Sequence, residues 1–111
     1  MLSDKEKEAI LHIRDYAAEA QGFVAGMTLD AFIADRRTYL AVTRCLEIIS
    51  EASRRLSAST TARHPDIPWR EIRASGNVYR HEYEHIHEQL IWGTLAHEVP
   101  KLLQALEVYT V

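Results

Sequence analysis

Residues 29–56 read Leu29-Asp-Ala-Phe-Ile-Ala-Asp-Arg-Arg-Thr-Tyr-Leu-Ala-Val-Thr-Arg-Cys-Leu-Glu-Ile-Ile-Ser-Glu-Ala-Ser-Arg-Arg-Leu56, with no glycine or proline among them. Leu29, Phe32, Ile33, Leu40, Leu46, Ile49 and Leu56 recur at helical spacings and mark one apolar face. Asp35-Arg36-Arg37, Arg44 and Arg54-Arg55 fall on the other side. Thr28 suits the N-cap. At 1.5 Å per residue this predicts one continuous helix of roughly 40 Å. A helix of that length in a chain of 111 residues predicts the backbone of a helical bundle.

Outward from this stretch the remaining segments are also helical. Ser3-Asp-Lys-Glu6 is a capping-box pattern, and Ile10, Ile13, Ala17, Ala20 and Val24 follow at three- and four-residue steps. This predicts a first helix from Ser3 to about Gly22. Ser57 to Ile67 is polar and breaker-rich and reads as the longest loop. Pro68 suits the first turn of a third helix, with Trp69, Ile72 and Tyr79 toward the core. Leu90, Ile91, Leu95, Val99, Leu102, Leu103 and Leu106 predict a fourth, which Pro100 should kink or divide. No strand-like alternation or internal repeat is present. The expected architecture is an all-α, up-and-down four-helix bundle forming a single domain over residues 1–111, its fourth helix kinked near Pro100.

Bulk properties narrow the function classes. The longest apolar runs fall well short of the ~18 residues of a membrane span, and no basic-then-apolar leader is found, so the expected location is cytoplasmic. Cys45 is the only cysteine and lies in a helical apolar pattern, which predicts a buried structural thiol. The net charge of −3 disfavours nucleic acid at first sight, but residues 31–80 carry nine arginines against five acids. Arginine suits bidentate contact with phosphate, although pairing with acidic neighbours on solvated faces is the blander alternative.

Gly76-Asn-Val-Tyr-Arg-His-Glu-Tyr83 concentrates the chemistry. His81-Glu82-x-x-His85 is a literal zinc-peptidase motif, in which two histidines one turn apart bind the metal and the glutamate activates water. A third ligand would have to come from His87, Glu88, His64 or His97, none at a peptidase spacing, and a chain this short leaves little room for a peptide groove. His81 can exchange protons near neutrality in its own right, and Asn77 stands one turn before it, placed to orient a phosphate or the imidazole. As residues alone, His81 reads first as a partly exposed helix-end side chain and Tyr83 as an aromatic cap on the bundle.

Residues 76–83 also resemble the Arg-(polar)-x-x-x-His-x-Tyr signature of HepT-type toxins in the HEPN ribonuclease superfamily. The resemblance extends over Phe32–Leu56, Ile67-Pro68-Trp69, Ile72-Arg73, Trp92 and Val99-Pro100 to about Leu106. It implies a homodimeric, metal-independent RNA endonuclease, needing no cofactor, with motif residues of both chains lining one cleft. In such a protein His81 serves acid–base chemistry at the ribose 2′-OH. The usual partner is a small nucleotidyltransferase antitoxin that adenylylates the tyrosine two residues after the histidine, here Tyr83. One position departs from the pattern: Gly76 stands where the phosphate-holding arginine belongs. Arg73, Asn77 and Arg80 share a helix face at i, i+4 and i+7. Either Arg80 at the catalytic centre or Arg73 as a phosphate ligand replaces the missing charge, or the protein is a degenerate module that binds a nucleotidyltransferase or nucleotide and cleaves nothing.

Overall fold

The computed structural model describes residues 2–81 and 88–110, the side chains of Arg80 and His81 excepted. Among the described residues there are helices and no strands: α1 (Asp4–Phe23), α2 (Leu29–Ala34), α3 (Arg36–Ser53), α4 (Ala58–Ala62), α5 (Trp69–His81), α6 (Glu88–Gly93), a π-helical turn (Thr94–Glu98) and α7 (Val99–Leu106). The architecture is the all-α bundle expected from the sequence. Helix α3 is its axis, with α1 packed along one side and α5 along another. Helix α7 packs on α1, and α6 on α2.

Side-chain bonds fix the up-and-down order. Arg55 near the end of α3 meets His12 and Glu8 of α1, so those two helices run antiparallel. Arg73 in α5 reaches carbonyls at the end of α3, while Gly76, further along α5, meets Ser50 a turn earlier in α3. Helices α3 and α5 are therefore antiparallel as well. Each antiparallel neighbour contributes to the common core of Ile10, Ile13, Phe32, Tyr39, Val42, Ile49, Trp69, Ile91 and Leu106.

Three local expectations need correction. The long second helix is two helices, broken at Asp35 (φ −107°, ψ 89°), which ends α2 and caps α3. Its carboxylate accepts from the Thr38 backbone N–H at 3.1 Å and from the Thr38 hydroxyl at 2.7 Å. A short carboxylate can offer the backbone this alternative to continued helix, and the helical stripe hides it. Tyr39 and Val42 take inner positions, and Ile33 and Leu40, expected inside, are 41% and 48% exposed, each one residue round the helix from the buried Phe32 and Tyr39.

The Ser57–Ile67 loop contains α4, capped by Ser57, whose hydroxyl accepts from the Thr60 N–H. What makes one turn of helix worthwhile here is Glu6. The Ser3–Glu6 capping box forms as expected. Glu6 also accepts from the Ser57 N–H at 2.9 Å and the Thr60 hydroxyl at 2.7 Å. Those hydrogen bonds hold its carboxyl down at about 2, against an ordinary 4.5. A capping residue at one helix start thus anchors a second helix 51 residues away.

The fourth helix departs from regularity just ahead of Pro100. Its π turn carries an i→i−5 bond, with the Val99 N–H on the Thr94 carbonyl, and Pro100 takes the second position of α7. A proline ring clashes with the carbonyl four residues back and supplies no N–H, and the widened turn ahead of it divides the fourth helix as expected. Leu90, expected inside, is 61% exposed, while Ile91, Leu95, Val99, Leu102 and Leu106 are buried.

Candidate functional site

The motif segment occupies the C-terminal half of α5, which is sharply two-sided. Trp69, Ile72, Arg73 and Gly76 lie on the side toward α3, whereas Arg70, Ala74, Asn77 and Val78 are exposed. Before it, Pro68 stands as the capping residue rather than inside the first turn, its carbonyl accepting from the Ile72 N–H at 3.0 Å. Trp69 fixes the start by donating its indole N–H to the His64 carbonyl at 3.1 Å. From that anchor α5 delivers His81 roughly 18 Å further along, at 1.5 Å per residue.

Gly76 is buried, and its N–H donates to Ser50 Oγ at 2.9 Å. The same hydroxyl donates to the Arg73 carbonyl at 3.2 Å. Ser50 thus bridges two backbone groups of α5 from within α3, an arrangement that requires close approach of the helices. Ser53, fully buried beside it, donates to the Ser50 carbonyl at 2.6 Å. A small-residue seam of Ser50, Ser53 and Gly76 therefore lies where the resembling family places an arginine.

Arg73 is largely committed to the fold. Its Nε and Nη2 donate to the carbonyls of Ser53 (3.4 Å) and Leu56 (3.2 Å) at the end of α3. Arg54 answers with two bonds to the Arg73 carbonyl at 2.9 and 3.2 Å. Guanidinium groups at a helix C-terminus satisfy its last carbonyls and complement its dipole. Asn77, by contrast, is exposed on the far side of α5. The i, i+4, i+7 relation of Arg73, Asn77 and Arg80 therefore does not put the Arg73 guanidinium beside the Asn77 amide. By register, Arg70, Asn77 and His81 fall on one stripe of α5, at i, i+7 and i+11. Glu82, Tyr83, His85 and His87, and the side chains of Arg80 and His81, lie outside the described residues.

Two residues near this end were read in the sequence only as parts of an outer face or not singled out at all. Tyr39, 2% exposed, has Arg36 over its ring at 5.1 Å. Burial first, and then the Glu88 carboxylate, push its phenol up, while Thr43 and Arg36 act the other way. Tyr79 of α5 lies within electrostatic reach of Tyr39 and is itself pushed up by burial, an effect that hydrogen bonds to Ser75 and Thr94 oppose. Arg36 is thus brought to the end of the bundle where α5 finishes and α6 begins. The signal for it was Asp35, whose capping role starts α3 at Arg36.

The zinc reading loses one of its ligands within a protomer. His64 stands at the opposite end of α5, its Nε2 2.7 Å from the Tyr109 hydroxyl. His97 is exposed on the π turn. Among the described residues no group of three metal-ligating side chains comes together. Cys45 is buried as expected, and burial pushes its thiol up to about 11, which leaves it inert as a nucleophile. No helix among the described residues is long and apolar enough to cross a membrane.

Comparison with known proteins gives one family throughout. The family described as Ribonuclease HepT-like matches residues 13–109. A Thermococcus cleftensis protein named "Probable ribonuclease HepT" is 34% identical over 80 residues, covering 72% of this chain and 73% of that protein. A Methanocaldococcus jannaschii protein, provisionally named an RNase, is 31% identical over 108 residues, covering 96% of this chain and 99% of the relative. Another provisionally named RNase, from Caldanaerobacter subterraneus subsp. tengcongensis, is 34% identical over 79 residues, covering 71% of this chain and 70% of its own. No solved structure matches the chain at a significant level.

Proposed function

This chain belongs to the HepT-like ribonuclease family, and we propose that it is a metal-independent endoribonuclease acting as the toxin of a toxin–antitoxin pair. The observation that carries the reading is the extent of the family match, residues 13–109, which spans α3, α5 and the whole Gly76–Tyr83 segment. In this reading His81, at the end of α5, exchanges the proton of the attacking ribose 2′-OH, a role suited to an imidazole titrating near neutrality. Asn77, one turn earlier on the exposed side of α5, orients the phosphate, and Arg80 supplies the positive charge that Gly76 lacks. Arg73 is the weaker phosphate ligand, since two of its three guanidinium nitrogens are engaged with α3. The active unit is a homodimer. A small nucleotidyltransferase silences it by adenylylating Tyr83, which places negative charge and bulk in the path of the RNA.

The test is induced expression with and without the His81→Ala change. Growth arrest and RNA degradation are expected for the wild type and lost, by about two or more orders of magnitude in cleavage rate, in the variant. Equal toxicity of the two would remove His81 from catalysis. One observation favours a second reading, a binding module without cleavage: the phosphate-holding position is a buried glycine sealed against Ser50. Purified wild-type protein that cleaves RNA in a His81-dependent way eliminates that alternative.

A further inference from the structure

At the end of α5 opposite to His81, the α4–α5 connection and α7 enclose an open cleft of about 700 Å³. That volume lies within the roughly 300–1,000 Å³ of small-molecule sites. Arg63, His64 and Asp66 line one side, Lys101 and Gln104 the other, with Ile67 at the base. Arg63 and Lys101 are exposed, and neither forms an ion pair with a described residue. Asp66 is the one carboxylate among the lining residues. The wall behind them is preorganised. His64 is held by the Tyr109 hydroxyl at 2.7 Å, and Tyr109 is held by Arg14 through its carbonyl at 2.9 Å.

The other large groove, about 790 Å³ between α1 and α3, makes the contrast. There Arg44, Arg54 and Arg55 share the lining with Asp15, Glu19 and Glu51, and Arg44 and Arg55 are further paired with Glu47 and Glu8. Its charges cancel. The cleft at α7 brings together two cations outside any ion pair among the described residues, an amide and an imidazole, with Pro65 and Ile67 offering apolar surface beside them.

We propose that this cleft binds a phosphate group carried on a nucleoside, with Arg63 and Lys101 as the charged contacts and Gln104 as a neutral donor. The phosphate comes either from an RNA strand or from a free mononucleotide. The proposal stands apart from the ribonuclease reading, because the cleft and His81 are separated by the length of α5.

The experiment uses the full chain and two probes. Fluorescence anisotropy follows a labelled, uncleavable 2′-O-methyl RNA of about 12 nucleotides, and calorimetry follows AMP, both between about 50 and 200 mM salt. Arg63→Ala/Lys101→Ala, at two exposed positions, should weaken at least one probe about tenfold or more. For the RNA it should also lower the salt slope by about 0.7, for the one phosphate no longer neutralised. The charge-preserving Arg63→Lys/Lys101→Arg should bind as wild type. Weakened RNA binding alone identifies a strand phosphate as the ligand, and weakened AMP binding identifies a mononucleotide. Unchanged affinity and slope for both probes, or a wild type that binds neither, overturns the proposal. Cleavage of an unmodified RNA by the wild type is measured separately, which separates failure of this site from failure of the ribonuclease reading.

Discussion

At Gly76 the chemistry of the motif and the packing of the bundle compete for one position. The sequence made the glycine visible as a departure from the motif, at the cost of about 1 kcal/mol in helix propensity relative to alanine. It did not make visible that Ser50 in α3 donates to and accepts from the α5 backbone around that glycine, because a serine inside an apolar stripe carries no periodic signal of its own. The consequence concerns any attempt to restore the motif. Gly76→Arg inserts a long cationic side chain on the α3-facing side of α5, and overpacking of that kind costs about 1–3 kcal/mol. The variant should show a lower urea midpoint, and it should be compared with wild type before any gain of ribonuclease activity is interpreted. Wild-type stability of Gly76→Arg would mean that the helix seam is looser than the Ser50 bonds indicate.

Among the elements, long periodic segments were legible and their interruptions were not. Ile10, Ile13, Ala17 and Ala20 of α1 are all fully buried as the stripe predicts. The same rule applied across residues 29–56 assigned Ile33 and Leu40 to the core wrongly, because it followed apolar residue type, and each stands about 100° round the helix from the buried Phe32 and Tyr39. Polarity alone likewise hid α4, whose stability comes from a partner far away in sequence. Asp35 should therefore behave as a cap. Asp35→Ala removes the bonds to the Thr38 N–H and hydroxyl and is expected to lower the urea midpoint with little change in slope. Thr38→Val, which keeps the N–H and loses the hydroxyl, should have a smaller effect. If Asp35→Ala matches the wild type, a continuous helix is an equally good solution for this sequence and the break is not set by the cap.

For the whole molecule, the sequence located the motif but not how the fold distributes its charge. Of the nine arginines between residues 31 and 80, Arg36 goes toward the motif end of the bundle and Arg54, Arg55, Arg63 and Arg73 toward the opposite one, a division that only antiparallel packing creates. Glu6 closes that opposite end, joining the start of α1 to α4 through two bonds, and it makes the stability of the bundle acid-sensitive. Its carboxyl titrates at about 2 in the folded chain against 4.5 when free, so protons bind the unfolded chain more readily at this group. The stabilisation is therefore fully present above pH ~4.5 and lost as pH falls toward ~2. Hydrogen bonds to a charged acceptor are worth about 1.5–3 kcal/mol, so Glu6→Gln should be less stable than wild type by that order at neutral pH. The gap should narrow through the window between those two values and vanish below its lower end. Urea midpoints of both proteins across pH measure it directly, and taking the difference cancels the other carboxylates. A gap that stays constant with pH would assign the role of Glu6 to the shape and packing of its side chain rather than to its charge.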